Sequence, residues 1–576
     1  MGLNRSALGM ALVACCSEAL LGAQWPGLLT AAGASSNSQA LVRFTGWQAW
    51  APHVLVASLL AWGITRLGGS PGKSRLGPNA QLNLFHDGNM LVGTALAIAL
   101  HGTSAAWPLL FAVVGRLLLA GCQMMRLRTG VAAAAVWTYA VAALLVNSAS
   151  EGADWAYWCN AVGAPDAGFC ASSAAVLDQF TGIAPVHFTV SIAFRYTLMR
   201  FVSWALDTLS GRVVLATSPN AVNTAFPEAA LPDSNGSAEP ESPRIGAVGH
   251  TTAAAETVAL FNTPESPQKL HATSTAGLAS ASWGAYLSYL LFAPLYLTGP
   301  VMTAAEFYQQ AAAVSAGRNT TRRSLAGGEW CRAMARMLGF CAFAMVAGRS
   351  LLADGVAQQV LAAQPWHAWA VGCAMLIALF AQSFVPWTFA RLCAGAMGIA
   401  APDEAPVGFL HSSITPATFW RNFHTSWTRW LRQYIYVPLG ATPAALVLTL
   451  AASTLLHGTH RAWLVWGAIQ CCALMAERVL APHQWLLPRL HPHLRSALVQ
   501  AATQTTLLVQ LPLGPSLPQF LAYFHAVNLP FLVLNAARLS AAQDSRKARP
   551  GKAGAAADTL AGHAAKLAAA GKVALD

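Results

Sequence analysis

The chain has 576 residues, 55% of them hydrophobic and only 10% charged, with a mean hydropathy of +0.46. A soluble domain carries about a quarter charged residues, so a water-facing globular protein is excluded and a polytopic α-helical membrane protein is expected. The net charge of +12 does not point to nucleic acid. Its basic residues are scattered through short segments such as Arg322-Arg323 and Arg546-Lys547-Ala548-Arg549, which suits membrane-surface electrostatics.

Apolar runs predict spans near 7–24, 47–65, 88–102, 105–122, 130–148, 183–206, 283–301, 334–353, 366–387, 434–456, 462–480, 498–514 and 517–536. Some of these are expected to be re-entrant or interfacial, which leaves about ten to twelve crossings. The first run contains Glu18 and no clear small-residue cleavage site, so it reads as an uncleaved span or interfacial segment. Residues 1–208 thus form an N-terminal group of transmembrane helices. Within it, Cys159 and Cys170 flank an acidic loop that is free of Lys and Arg, which the positive-inside rule places on the lumenal side. Their pairing is left open by the sequence. The other cysteines lie mostly in apolar runs and read as small hydrophobes.

From 209 to 280 the chain is rich in Ser, Thr, Pro and Ala, as in Pro240-Glu241-Ser242-Pro243, and is expected to be a disordered polar insertion. Residues 281–537 then carry the remaining spans and all the candidate chemistry. Pro294, Gly299 and Pro300 interrupt the run at 283–301; broken backbone at membrane depth is tolerated only inside protein or along a cavity, which predicts an enclosed chamber. The sequon at Asn319-Thr320-Thr321 lies among Arg318, Arg322 and Arg323 and is expected to go unused. The tail, 538–576, is basic and Ala-rich.

Within 419–434 the residues Trp420, Phe423, Trp427, Trp430, Leu431 and Tyr434 recur at spacings of three and four. This predicts one amphipathic helix, with Arg421, Thr425, Thr428, Arg429 and Arg432 on its other side and His424 on its apolar side. Such Trp- and Arg-rich helices lie in membrane interfaces. His457 ends the apolar run 446–456, where an ionisable residue is costly unless it faces a polar cavity. The residues alone leave two readings of it: a general base, which imidazole suits near neutral pH, or a structural histidine before the helix terminator Gly458. A metal pair with His460 has little support, since Gly458 interrupts the spacing and no carboxylate or Cys is near. No serine-nucleophile elbow or nucleotide-binding loop is present in a credible context.

The run Phe419-Trp420-Arg421-Asn422-Phe423-His424 followed by Tyr434-Ile435-Tyr436-Val437-Pro438-Leu439-Gly440 resembles the signature block of the membrane-bound O-acyltransferase (MBOAT) family. The segments 289–300, 385–392 and 398–404, together with Arg200 to Asp207, resemble the Gup and hedgehog acyltransferase-like subgroup. The resemblance implies the all-α MBOAT fold with an internal tunnel and an acyl-CoA-dependent acyltransferase of the endoplasmic reticulum membrane. It makes His457 the general base and gives His424 a positioning or polarising role. Trp420, Arg421 and Trp427 would bind substrate. Acyl-CoA is then a co-substrate and no further cofactor or metal is implied. Two departures stand out: Leu456 replaces the usual Trp before the catalytic histidine, and Ala441 replaces a common second Gly.

The implied function is transfer of a long-chain acyl group to a lipid acceptor, with glycosylphosphatidylinositol (GPI) anchor remodelling as the specific candidate. Acylation of a protein N-terminus, or of a lipidated protein, is the alternative within the family. A polyol (glycerol) transporter is the alternative outside it, although the charged residues do not fall in paired broken spans of two matching halves.

Overall fold

The computed structural model describes residues 39–67, 76–150, 187–213, 282–316, 327–351, 365–404, 416–459, 461–480, 492–508 and 517–548. The run at 7–24, the Cys159–Cys170 loop, nearly all of the 209–280 insertion, the Asn319 sequon, His460 and the end of the tail lie outside them. Among the described residues the regular structure is entirely helical.

Among the described residues, five α-helices precede the insertion: α1 (Gln39–Leu67), α2 (Pro78–His101), α3 (Ala106–Met124), α4 (Thr129–Ser150) and α5 (His187–Leu209). After it come α6 (Trp283–Leu290), α7 (Ala304–Ser315), α8 (Gly327–Leu351) and α9 (Pro365–Ala396). The signature region holds α10 (Pro416–Asn422), α11 (Thr425–Leu431), a π-turn at Arg432–Tyr436 and α12 (Pro443–His457). The described residues end with α13 (Arg461–Leu480), α14 (Pro492–Leu508) and α15 (Leu517–Ala548). The final helix therefore continues past Arg538, where the sequence predicted the tail to begin.

Among the described residues, three stretches are long and apolar enough to cross a membrane: Asn79–Met124, Thr129–Ala149 and Leu517–Arg538. The first is two helices, α2 and α3, joined by a tight 3₁₀ turn at Gly102–Ala105, in line with the two predicted runs. Leu91, Leu117, Leu145 and Leu534 on these helices stay exposed, as lipid-facing side chains do. The other sides of α2, α3 and α4 enter a core centred on α5, where Phe194, Met199, Phe201, Val202 and Ala205 are fully buried, whereas α15 packs against α9 and α14.

The run at 283–301 is broken, as its Pro294, Gly299 and Pro300 lead one to expect, and so is the run at 434–456. At 283–301 only α6 is a regular helix, and it is followed by a 3₁₀ turn at Ala293–Leu295. At 434–456 the π-turn and a loop come first, and α12 contributes only fifteen residues. At about 1.5 Å per residue that is roughly 22 Å, short of a full crossing. Thr442 caps α12 through Ala445 N at 3.1 Å, and Pro443 occupies its first turn.

The broken segment after α6 needs donors, because its carbonyls are buried away from water. Arg200 of α5 supplies them. Its guanidinium donates to Leu290 O at 2.9 Å and also to Leu295 O, bridging the two ends of the break. Nearby, Tyr434 OH donates to Asp207 Oδ2 at 3.0 Å and lies 2.7 Å from Ser203 Oγ, which accepts Ala304 N. These contacts tie the π-turn and the start of α7 to the same face of α5.

Replacing Arg200 with Met should leave two buried carbonyls unpaired and cost roughly 2–5 kcal/mol. The thermal midpoint of the purified protein in detergent should fall accordingly. Arg200→Lys should not restore it, since a single ammonium lacks the planar fork that spans both carbonyls; a wild-type midpoint in either variant would contradict this role.

Candidate active site

The signature region is not one amphipathic helix. Phe423 N still bonds to Phe419 O at 2.9 Å, but the next amide, His424 N, leaves the helix and donates to Glu404 O at 2.8 Å. His424 takes a left-handed conformation, φ 56° and ψ 50°, and α11 starts directly after it. Histidine is among the residues that tolerate this region best, yet it costs of the order of 1–2 kcal/mol without glycine's freedom. The periodicity of the aromatic residues hides the break, because its cause is an acceptor twenty positions upstream.

Glu404, in the segment after α9, is buried. Its Oε2 accepts Ser426 N at 2.8 Å, and Ser426 Oγ donates to Oε1. That same hydroxyl accepts Val301 N at 2.8 Å, which brings the loop before α7 to the site. Thr425 Oγ1 donates to Asp403 O at 2.6 Å, and Asp403 pairs with Arg391 at 2.9 Å. Burial pushes the Glu404 carboxyl up, but His424 and the Ser426 donors outweigh it and leave it below its ordinary value.

The His424 imidazole lies against Trp387 of α9 at 4.4 Å and Trp427 of α11 at 5.0 Å, centroid to centroid. Its Nδ1 is buried and sits 3.4 Å from Glu404 Oε2. That is an electrostatic contact, longer than an ordinary hydrogen bond.

His457 reaches the same indole. Its ring centroid is 4.9 Å from Trp427, and 5.3 Å from each of Trp463 and Trp466 on α13. Its Nδ1 is 2.8 Å from Ser453 O, one turn back along α12, so Nδ1 carries the proton and Nε2 keeps its lone pair. Ser453 Oγ in turn accepts the Trp427 indole N–H at 3.1 Å. Arg195 of α5 donates to His457 O at the end of α12 and to Ser191 Oγ at 3.2 Å.

Two glycines make this approach possible. Gly458 turns the chain out of α12 with φ 150°, and a Cβ there would meet Trp463 at 2.9 Å. A Cβ on Gly467 would stand 2.0 Å from Thr454 Oγ1, so only glycine lets α13 press its tryptophans against His457.

Of the residues singled out in the sequence, the structure brings together His457, His424 and Trp427. Trp420 is one step away: it contacts Trp466 at 5.7 Å and donates to Gln470 Oε1 at 3.0 Å, so it supports the tryptophan wall. Arg421 is half-buried beside it on α10. Glu404 and Trp387 lay in stretches that carried the family resemblance but had no assigned role. Ser453, Arg195, Trp463 and Trp466 were not foreseen; for Ser453 the signal was its position four residues before His457 on a helix.

Residues 183–509 match the family model of MBOAT, the membrane-bound O-acyltransferase family. The chain belongs to that family. Similar MBOAT proteins include membrane-bound O-acyltransferase GUP1 of Saccharomyces cerevisiae, 20% identical over 392 residues, 68% of this chain and 60% of that protein. GUP1 of Candida tropicalis is 25% identical over 207 residues, a third (33%) of each chain. The probable alginate O-acetylase AlgI of Azotobacter vinelandii is 37% identical over 79 residues, 12% of this chain and 15% of that protein. These alignments thus span between a third and three fifths of the two GUP1 proteins. The match places His424, Trp427 and His457 inside the MBOAT segment.

Gly467→Ala should force α12 and α13 apart and lower the thermal midpoint, by an amount equivalent to about 1–3 kcal/mol. Thr454→Ala removes the colliding hydroxyl and methyl, so the double variant should recover part of that loss. Strict additivity of the two changes would contradict the close approach.

Proposed function

We propose that this protein is a membrane O-acyltransferase that moves an acyl group from acyl-CoA to a hydroxyl, with His457 and His424 at the reacting centre. The observation that carries the reading is the meeting of these two histidines on one indole, Trp427, within the family-matched segment. The Nδ1–H of His457 is committed to Ser453 O, so its Nε2 is free to take a proton from the acceptor. The acceptor oxygen attacks the thioester carbon, and the C–S bond breaks to release CoA thiolate. The wall of Trp427, Trp463 and Trp466 excludes water, which favours transfer over hydrolysis. Trp420 stands at the edge of this wall, and Arg421, next to it on α10, suits the phosphates of CoA.

For the acceptor, the Gup-like resemblance of segments 289–300, 385–392 and 398–404 favours a lipid in the endoplasmic reticulum membrane, with a GPI anchor lipid as the specific candidate and a long-chain acyl group as the donor. The short likeness, at higher identity, to a protein named probable alginate O-acetylase favours a second reading, acetylation of a carbohydrate hydroxyl.

Purified protein in nanodiscs, given labelled palmitoyl-CoA or acetyl-CoA with lysophospholipids, a GPI-type lyso-lipid, an N-terminal peptide and a soluble polysaccharide, separates these readings. His457→Ala should lower transfer by about 10²–10⁴-fold, with acyl-CoA still bound. Full transfer by folded His457→Ala protein would refute the assignment, and preference for acetyl-CoA with polysaccharide would replace the lipid reading with the carbohydrate one.

A further inference from the structure

Arg195 is a cation inside an apolar run, and the protein supplies it no counter-charge. Its guanidinium donates to His457 O at the end of α12 and to Ser191 Oγ, one turn back on α5, at 3.2 Å. That serine also accepts Asn147 Nδ2 of α4 at 3.0 Å, so the group is held in place from two helices. Arg195 Nε is buried and bonds to nothing, and no carboxylate among the described residues pairs with the guanidinium. The buried carboxylates of the core are committed elsewhere, Glu404 to Ser426 and His424, and Asp207 to Arg212 and Tyr434.

Arg200, five residues along the same helix, shows how this fold settles a cation that serves structure alone. It is fully buried, and its two ends rest on two carbonyls of the broken segment. Arg195 meets one carbonyl and one hydroxyl, keeps an unspent donor and stays partly accessible. A cation at a helix C-terminus is stabilising, but that contact occupies one of the five N–H groups of a guanidinium. An ionisable side chain in a membrane span marks a substrate path unless the protein itself pairs it.

Resting on the function proposed above, we infer that Arg195 recognises the acceptor: its guanidinium binds a phosphate carried next to the reacting hydroxyl, which makes the acceptor a lysophospholipid-type molecule. The placement follows from His457. Arg195 is bonded to the carbonyl of that residue, and the Nε2 of the same residue is the atom the hydroxyl must reach. A molecule bound at both is the acceptor, because only the acceptor brings a hydroxyl to that nitrogen. The guanidinium fork suits two phosphate oxygens. In a dry core the pair neutralises two charges that would each be costly alone. The same cation repels the ammonium of a peptide N-terminus and gains nothing from a neutral alcohol, so it discriminates by repulsion as well as attraction. Its chain neighbours fix this turn of α5: Tyr196 packs on Trp427 at 6.0 Å, and Phe194 stacks on Trp107 at 5.1 Å.

Acceptor selectivity of the full-length protein in nanodiscs reads this directly. Labelled palmitoyl-CoA or acetyl-CoA is supplied with lysophosphatidylinositol, with monoacylglycerol, which lacks the phosphate, and with a uronate polysaccharide. Wild type should prefer lysophosphatidylinositol to monoacylglycerol by about tenfold or more in kcat/KM. Arg195→Gln should lower kcat/KM for lysophosphatidylinositol about 10–100-fold, mostly through KM, and for monoacylglycerol by about threefold or less. Arg195→Lys should keep part of the preference. Equal losses for the two lipids would reduce Arg195 to a support for α12 and overturn the inference, as would a wild type without the preference. Transfer to the uronate polysaccharide in place of the lipid, with the same dependence on Arg195, would give the anion to a carboxylate and overturn the phosphate assignment. If Arg195→Gln fails to fold, competition on wild type decides: glycerol 3-phosphate should inhibit at lower concentration than glycerol, and no difference between them overturns the inference. Binding of labelled lysophosphatidylinositol without acyl-CoA should survive in His457→Ala protein, since the Arg195 contact is to the backbone, whereas acyl transfer by that variant would defeat the acyltransfer reading itself.

Discussion

The site depends on one serine. Through its hydroxyl, Ser453 accepts the indole N–H of Trp427, and through its carbonyl it faces His457 Nδ1 one turn later. These two contacts fasten α11 to α12 and fix a tautomer at the same time. A serine in a helix usually spends its hydroxyl on its own backbone; here it is spent across the site instead. Without it, the indole N–H would be left unpaired in a dry setting, and the hydrogen bond that ties the Trp427 ring to α12 would be lost.

A second constraint acts at the other histidine. The break between α10 and α11 is imposed by Glu404, whose carbonyl takes the His424 amide and whose carboxylate takes the Ser426 amide and hydroxyl. The backbone is held in an unfavourable region so that the imidazole lies between Trp387 and Trp427 rather than on a helix face. Arg200 does comparable work further off: it satisfies the carbonyls of the broken segment after α6, which precedes the loop that reaches Ser426 through Val301. Irregular backbone at this depth survives because side chains from α5 and α11, together with Glu404, complete its hydrogen bonds.

The helical class, the runs at α1 to α5 and the residues His424, Trp427 and His457 were legible in the sequence, since hydropathy and the signature block carry that information directly. The single helix expected over 419–434 was wrong. Period alone cannot reveal a distant carbonyl that captures one amide, and the aromatic spacing stays intact across the kink. Trp463 and Trp466 were invisible for a related reason: their approach to His457 depends on Gly458 and Gly467, and a glycine in an apolar run does not announce which neighbour comes close. Arg195 reads in sequence as one more cation in an apolar span, and only the fold places it at the end of α12.

The central claim is that the reacting acyl group sits between the two imidazoles at the Trp427 wall. A cryo-electron microscopy structure of the full chain with a non-hydrolysable thioether analogue of palmitoyl-CoA tests it most directly. The account predicts the carbon next to sulfur within about 4 Å of both His457 Nε2 and His424 Nε2, with the adenosine phosphates towards Arg421. An analogue bound with its sulfur remote from both rings, or two imidazoles turned away from a shared space, would contradict it.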